Sequence, residues 1–137
     1  GTDFVKRLVG APGDVIEIKD SKLYRNGIEV PEPYVRDPDF GSFKFVEYDG
    51  RLIPLMKNLQ GYTNAGSPYE VRFEDETRVW ELPAQPIPKD MYLMMGDNRN
   101  ASFDGRYWGL IHRRQIVGKA WWRFFPPKRW GRADARK

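Results

Sequence analysis

Two short stretches carry side chains that can do chemistry together. In DFVKRLVG, residues 3–10, a lysine and an arginine interrupt an apolar run. Successive side chains of a strand point to opposite faces, so Phe4, Lys6 and Leu8 fall on one side and Val5, Arg7 and Val9 on the other. Lys6 then sits between two bulky apolar side chains, where desolvation disfavours an ammonium ion and leaves a neutral amine available. A neutral amine is a general base that can take the proton of a serine hydroxyl. The alternative is an edge-strand lysine that lays its apolar stem along the surface and keeps its charge in water. The second stretch, MMGDNRNASFDGRYWG, residues 94–109, frames Ser102 with acids and arginines. Gly96, Asp97 and Asn98 read as a strand end turning back, with Asp97 and Asn98 able to bond their own backbone. Asp104 and Arg106 are placed to pair and stiffen the loop. By itself this stretch is either a nucleophile loop around Ser102 or a structural loop held by its own polar groups.

Other chemistries are narrowed by what the chain lacks. It has no cysteine, which excludes a disulfide framework, a thiol nucleophile and cysteine-ligated metal. Its one histidine, His112, stands beside two arginines on an expected surface turn and cannot build a histidine triad and a ligand-rich metal site at once. No metal and no organic cofactor are expected. The charge is uneven: residues 113–137 hold nine basic residues and one acid, a net +8 that leaves −4 for the rest of a chain whose total is +4. Such a basic tail suits an anionic surface, either membrane or nucleic acid, or it is a solvated end.

These side chains must be held by a folded scaffold. A length of 137 residues fits one domain, and a hydrophobic fraction of 40% with 15% aromatics supplies a core. Eleven Pro and thirteen Gly favour short strands joined by turns. APGD (11–14) predicts a turn, VIEI alternates as a half-buried strand, and Asn26-Gly27 inside KLYRNGIEV is a strong hairpin signal. PEPYVRDPDFG (31–41) reads as a Pro- and Asp-rich connection. SFKFVEYDGRLIPLM reads as two strands about Asp49-Gly50, and GYTNAGSP (61–68) as a loop. YEVRF and RVWEL read as strands about the turn EDET, MYLMM and RYWGLI as further strands, and residues 116–125 as a closing strand. Helix is expected only for a turn or two near IHRRQ. No apolar run approaches the ~20 residues that span a bilayer, so the chain as it stands is expected to be soluble.

The two polar stretches together resemble the hallmark motifs of the type I signal peptidases, membrane-bound serine proteases that remove signal peptides. FVKRLVGAPGD is similar to the family's lysine segment, and Gly-Asp-Asn-Arg followed by Ser, Asp and Arg is similar to its second motif. The downstream IVGKAWWRF fits as well. The resemblance implies a mainly β, antiparallel, partly open barrel-like catalytic domain, with residues 1–18 and 91–125 as core segments, 31–90 as a variable β-rich insertion and 126–137 as a basic tail. It implies Lys6 as general base and Ser102 as the hydroxyl that orients the lysine amine. Arg7 is the lysine's usual neighbour, Met94 or Met95 helps keep the amine dry, and Gly96, Asp97, Asn98, Asp104 and Arg106 support the loop. Phe4 and Val5 fall where the substrate is lined and paired by main-chain hydrogen bonds.

The carry-over has limits. The family's nucleophile is a serine, shortly followed by Met-x-Pro, upstream of the lysine and after a membrane span; only five residues precede Lys6 here and none is serine. Ser21, Ser42 and Ser67 match nothing in the family. The expectation is therefore a fragment without its nucleophile, inactive alone. Ala101 and Gly105 stand where the family commonly has Asn and Ser, and read as tolerated variation. The expected partners are preprotein signal peptides and the membrane surface on the extracytoplasmic face, with no specific nucleic acid and with self-association through an exposed sheet edge. Two rival readings stand beside this one. In one, Ser102 and Lys6 form a self-sufficient hydrolase; in the other, the chain is a non-catalytic β-domain that binds membrane or nucleic acid through KAWWRFFPPKRWGR (119–132), where basic and aromatic residues interleave.

Overall fold

Local turn chemistry sets the framework of a computed structural model that describes residues 6–58, 61–63, 76–100, 102, 104–117 and 123–124. Strands β2 (Ile16–Lys19), β3 (Lys22–Arg25) and β4 (Ile28–Val30) form a meander, and β5 (Ser42–Tyr48), β6 (Arg51–Asn58) and β7 (Gly61–Thr63) form another. Three of the hairpins close over two residues, both with positive φ: Asp20-Ser21, Asn26-Gly27 and Asp49-Gly50. That left-handed pair matches the twist of the flanking strands. Asn26-Gly27 and Asp49-Gly50 were expected; Asp20-Ser21 is a turn without glycine. Its cost is offset from elsewhere in the chain, because Ser21 Oγ accepts from the backbone of Phe40 and Gly41 while Ser21 N donates to Gly41 O.

The two meanders make one six-stranded antiparallel sheet in the order β4-β3-β2-β5-β6-β7. A second sheet runs β10-β1-β8-β9, built from β1 (Arg7–Gly10), β8 (Met91–Met95), β9 (Ile111–His112) and β10 (Arg123–Phe124). Among the described residues pairing is antiparallel with one exception, the parallel contact of β1 with β10. Alternation buries one face of each sheet against the other. Val9, Leu93 and Met95 from the smaller sheet share a core with Ile16, Ile18, Leu23, Val30, Phe43, Phe45 and Met56 from the larger. The Pro-rich segment before β8 stitches the two: Gln85 N donates to Phe45 O, and Ile87 exchanges backbone bonds with Gly13 and Asp14.

Several expected elements are corrected. RVWEL is not a strand: α1 (Glu76–Trp80) is a short helix, with Val79 buried against Val46, Ile53 and Leu55 on the second face of β5 and β6. Alternation misleads here because tertiary packing decides the segment: buried Val79, with Trp80 and Leu82 beside it, is anchored on that face. The end of α1 is held by Lys44, whose Nζ donates to Trp80 O at 2.5 Å and Leu82 O at 2.6 Å and lies over the Trp80 ring. Cations suit the carbonyl end of a helix. Burial lowers the pKa of Lys44, with Glu17 opposing. Helix is also present in RYWGLI, as α2 (Gly105–Trp108), because Asp104 caps it. The helix expected near IHRRQ is α3 (Arg113–Val117), and it takes in Ile116 and Val117 of the expected closing strand; Arg123–Phe124 is strand as expected, and 118–122 and 125 lie outside the described residues. Gly61–Thr63, expected as loop, pairs with β6. YEVRF, Ser67 and the tail 126–137 lie outside the described residues. No described helix is long and apolar enough to cross a membrane.

Candidate active site

The pairing of β1 with β8 brings the two polar stretches together. Arg7 lies opposite Met95 and Leu8 opposite Met94, so Lys6, just ahead of β1, and Gly96, just after β8, leave the sheet at the same end. The loop after Gly96 turns back, and Lys6 Nζ donates to Ser102 Oγ at 2.9 Å. Both groups are enclosed: Lys6 is 8% exposed and Ser102 5%. The snorkelling alternative for Lys6 is therefore not what the fold adopts. Leu8 and Met94 pack together with Ile111, whereas Met95 faces the main core with Val9. Continuing the alternation of β1 puts Lys6 on the Leu8 side, so Met94 rather than Met95 belongs to the lysine's face.

Arg7 points the other way. Its Nε and Nη2 make two 2.8 Å bonds to the two oxygens of Asp97, and its guanidinium lies 3.6 Å from the centre of the Tyr34 ring. The Asp97 hydrogen bonds raise the Arg7 pKa above the ordinary value, against a lowering by burial. Asp97 was expected to serve its own backbone; its carboxylate instead ties the loop to β1. Asn98 is exposed.

Asp104 is the centre of the loop. Fully buried, it uses Oδ1 for Arg106 N and Nε, and Oδ2 for Gly96 N and Arg106 Nη2, at 2.9–3.0 Å. One carboxylate thus caps α2, pairs with a guanidinium and fixes the end of β8. Arg106 Nη2 also donates to Arg99 O at 2.7 Å. The expected Asp104–Arg106 pair is present and buried.

Arg99, Glu32 and Tyr34 were not among the expected site residues. The buried Arg99 side chain donates from Nε to Gly96 O at 2.7 Å and from Nη1 and Nη2 to Glu32 at 3.0 and 2.7 Å. Tyr34 donates its hydroxyl to Glu32 Oε2 at 2.8 Å. Burial, and after it the Glu32 carboxylate, push the Tyr34 phenol well above the ordinary tyrosine range. Asp37 and Asp39 accept from Asn100, so residues 31–41 cradle the loop at several points. Arg99 was visible inside the Gly-Asp-Asn-Arg motif; Glu32 and Tyr34 gave no signal beyond a Pro-rich setting. Phe4, Val5 and Ala101 lie outside the described residues. His112 is half-buried at the end of β9, where its Nδ1 accepts from Arg114 N and its backbone N donates to Gln115, an arrangement that caps α3. Among the described residues no three metal-ligating side chains converge.

Gly105 is less tolerant of change than expected. A Cβ there would stand 2.7 Å from Leu93 Cδ1 and 2.8 Å from Met94 O. The leucine can shift a little in its packed site; the backbone oxygen of β8 cannot move without its strand. Gly105→Ser is expected to cost about 1–3 kcal/mol, as overpacked sites do. Urea unfolding should show a lower midpoint at unchanged slope, and a variant as stable as the parent would contradict the close approach.

A family model described as "Signal peptidase, peptidase S26" matches residues 1–125, and the chain belongs to that family. Among its relatives, Signal peptidase IB of Staphylococcus aureus is 36% identical over 124 residues, which is 90% of this chain and 54% of the relative. Probable signal peptidase I-1 of Synechocystis sp. is 28% identical over 131 residues, 96% of this chain and 47% of the relative. The chain therefore spans about half the length of these curated relatives. The solved structure of a signal peptidase I from Enterococcus faecalis aligns at a TM-score of 0.44 with 24% identity, covering 80% of this chain and 74% of that one.

Proposed function

We propose that this chain is the lysine-bearing part of a serine endopeptidase that removes signal peptides from exported preproteins at the outer face of the cytoplasmic membrane. The observation that carries the reading is the buried hydrogen bond from Lys6 Nζ to Ser102 Oγ, 2.9 Å long, between residues 96 positions apart. An amine held this way has a fixed direction for its remaining valences. In the reaction, a serine hydroxyl gives its proton to the Lys6 amine as its oxygen bonds the scissile carbonyl carbon. Lys6 then gives that proton to the leaving amine nitrogen as the peptide bond breaks, and afterwards takes one from the water that releases the acyl group. Ser102 is the orienting hydroxyl. Ser102 is only 5% exposed, which favours an orienting over an attacking role and leaves the attack to the hydroxyl of another serine. Phe4 and Val5 would line the substrate ahead of Lys6.

The test uses the full-length protein of this gene with a radiolabelled preprotein. Release of the signal peptide is expected, and a serine-directed acylating probe, mapped by mass spectrometry, should label a serine other than Ser102. Label on Ser102 would favour the self-sufficient hydrolase, and no release of signal peptide would remove the substrate assignment.

A further inference from the structure

The Pro-rich connection between β4 and β5 holds a carboxylate that the lysine chemistry does not use. Glu32, with its side chain 7% exposed, accepts three hydrogen bonds: two from the Arg99 guanidinium and one from the Tyr34 hydroxyl. These two partners lead to the two halves of the site. Arg99 binds Gly96 O with Nε and receives Arg106 Nη2 at its own carbonyl, so it fixes the loop that presents Ser102. Tyr34 lies beneath the guanidinium of Arg7, the residue next to Lys6, which is tied in turn to Asp97. A guanidinium enclosed as fully as that of Arg99 requires an anion close by, since an unpaired charge in such a place is strongly disfavoured. We infer that Glu32 is a positioning residue for the Lys6–Ser102 pair. It sets the loop through Arg99 and the strand through Tyr34, and so the distance between amine and hydroxyl depends on a carboxylate that touches neither. The kinetic part of this inference rests on the proposed function; the geometric part does not.

Glu32→Gln keeps the shape and removes the charge. In the full-length enzyme it should lower kcat by about 10- to 100-fold with KM within about two-fold, as a displaced base does. Geometry is read separately by a brief pulse of acetic anhydride and mass spectrometry of the lysines. Lys44 is the internal control, being equally buried but held by Trp80 and Leu82 carbonyls. Acetylation of Lys6 should rise by roughly five-fold or more while Lys44 stays protected, as expected for a local rather than a global opening. Tyr34→Phe, which keeps the ring under Arg7 and loses only the hydroxyl, should move Lys6 in the same direction by less and covers the case in which Glu32→Gln fails to fold. A parallel rise at Lys6 and Lys44 would reduce Glu32 to general stability and overturn the inference, as would unchanged Lys6 reactivity whatever kcat does. A selective rise at Lys6 in an enzyme that still works as Lys6→Ala would uphold the positioning role and overturn the catalytic one.

Discussion

Lys6→Ala in the full-length enzyme is expected to reduce cleavage of a preprotein by on the order of 10³-fold or more, with KM little changed. The loss is large because, in the mechanism proposed above, the same amine serves three proton transfers: from the attacking hydroxyl, to the leaving nitrogen and from the deacylating water. Its described neighbour in the strand cannot substitute. Arg7 is committed to Asp97, its pKa raised by that hydrogen bond, and it faces the opposite side of the strand. Ser102→Ala should be milder, about 10²-fold, because it leaves the base in place but frees its direction. The double variant should be no worse than Lys6→Ala, since an orienting hydroxyl has nothing to orient once the amine is gone. Effects that multiply in the double variant would mean that Ser102 acts on the reaction by itself. Retained turnover in Lys6→Ala would mean another base.

What the sequence made legible, and what it did not, follows the range of the interactions. Asn26-Gly27 and Asp49-Gly50 were readable because a two-residue turn needs positive φ at both positions and those residue pairs supply it locally. Asp20-Ser21 makes the same turn and was not readable, because the backbone that supports it comes from Phe40 and Gly41. The alternation in RVWEL suggested a strand, whereas the segment obeys a tertiary contact, Val79 against the far face of β5 and β6. The parallel contact of β1 with β10 joins distant parts of the chain and leaves no local trace. In the site the contrast is sharper. Lys6, Ser102, Asp104 and Arg106 lie in two dense motifs whose residue types and spacing are legible in the sequence. Glu32 and Tyr34 come from a stretch that reads as a connection, and their part emerges only when Arg99 is found buried with Glu32 as its anion.

Asp104→Ala is expected to be the most destabilising of the single substitutions, by about 3–5 kcal/mol, the range for removing one partner of a buried ion pair. Four donors lose their acceptor at once: Gly96 N, Arg106 N, Arg106 Nε and one bond of Arg106 Nη2. Only the last keeps a partner, at Arg99 O. The attraction within the pair is a small part of the effect; most is the penalty of a guanidinium left in a site 2% exposed. For a domain with a stability of about 5–15 kcal/mol, that loss is a large fraction of the whole. The cause can be separated from lost packing by a double replacement, Asp104→Ala with Arg106→Met, which removes the stranded charge along with its partner. It should be clearly less destabilised than the sum of the two singles, and the coupling should reach about 1–3 kcal/mol. Chemical denaturation of the four proteins measures it, with Glu29→Ala, at an exposed position of β4, as a control expected to move stability by no more than about 0.5 kcal/mol. Additive losses would place the cost in the cavity and the cap rather than in the unpaired guanidinium. Ser102 lies between Arg99 and Asp104 in the chain. A loop loosened by an unpaired Arg106 should therefore give up the Lys6 hydrogen bond at temperatures where the sheets are still folded, and activity should be lost below the unfolding midpoint in Asp104→Ala.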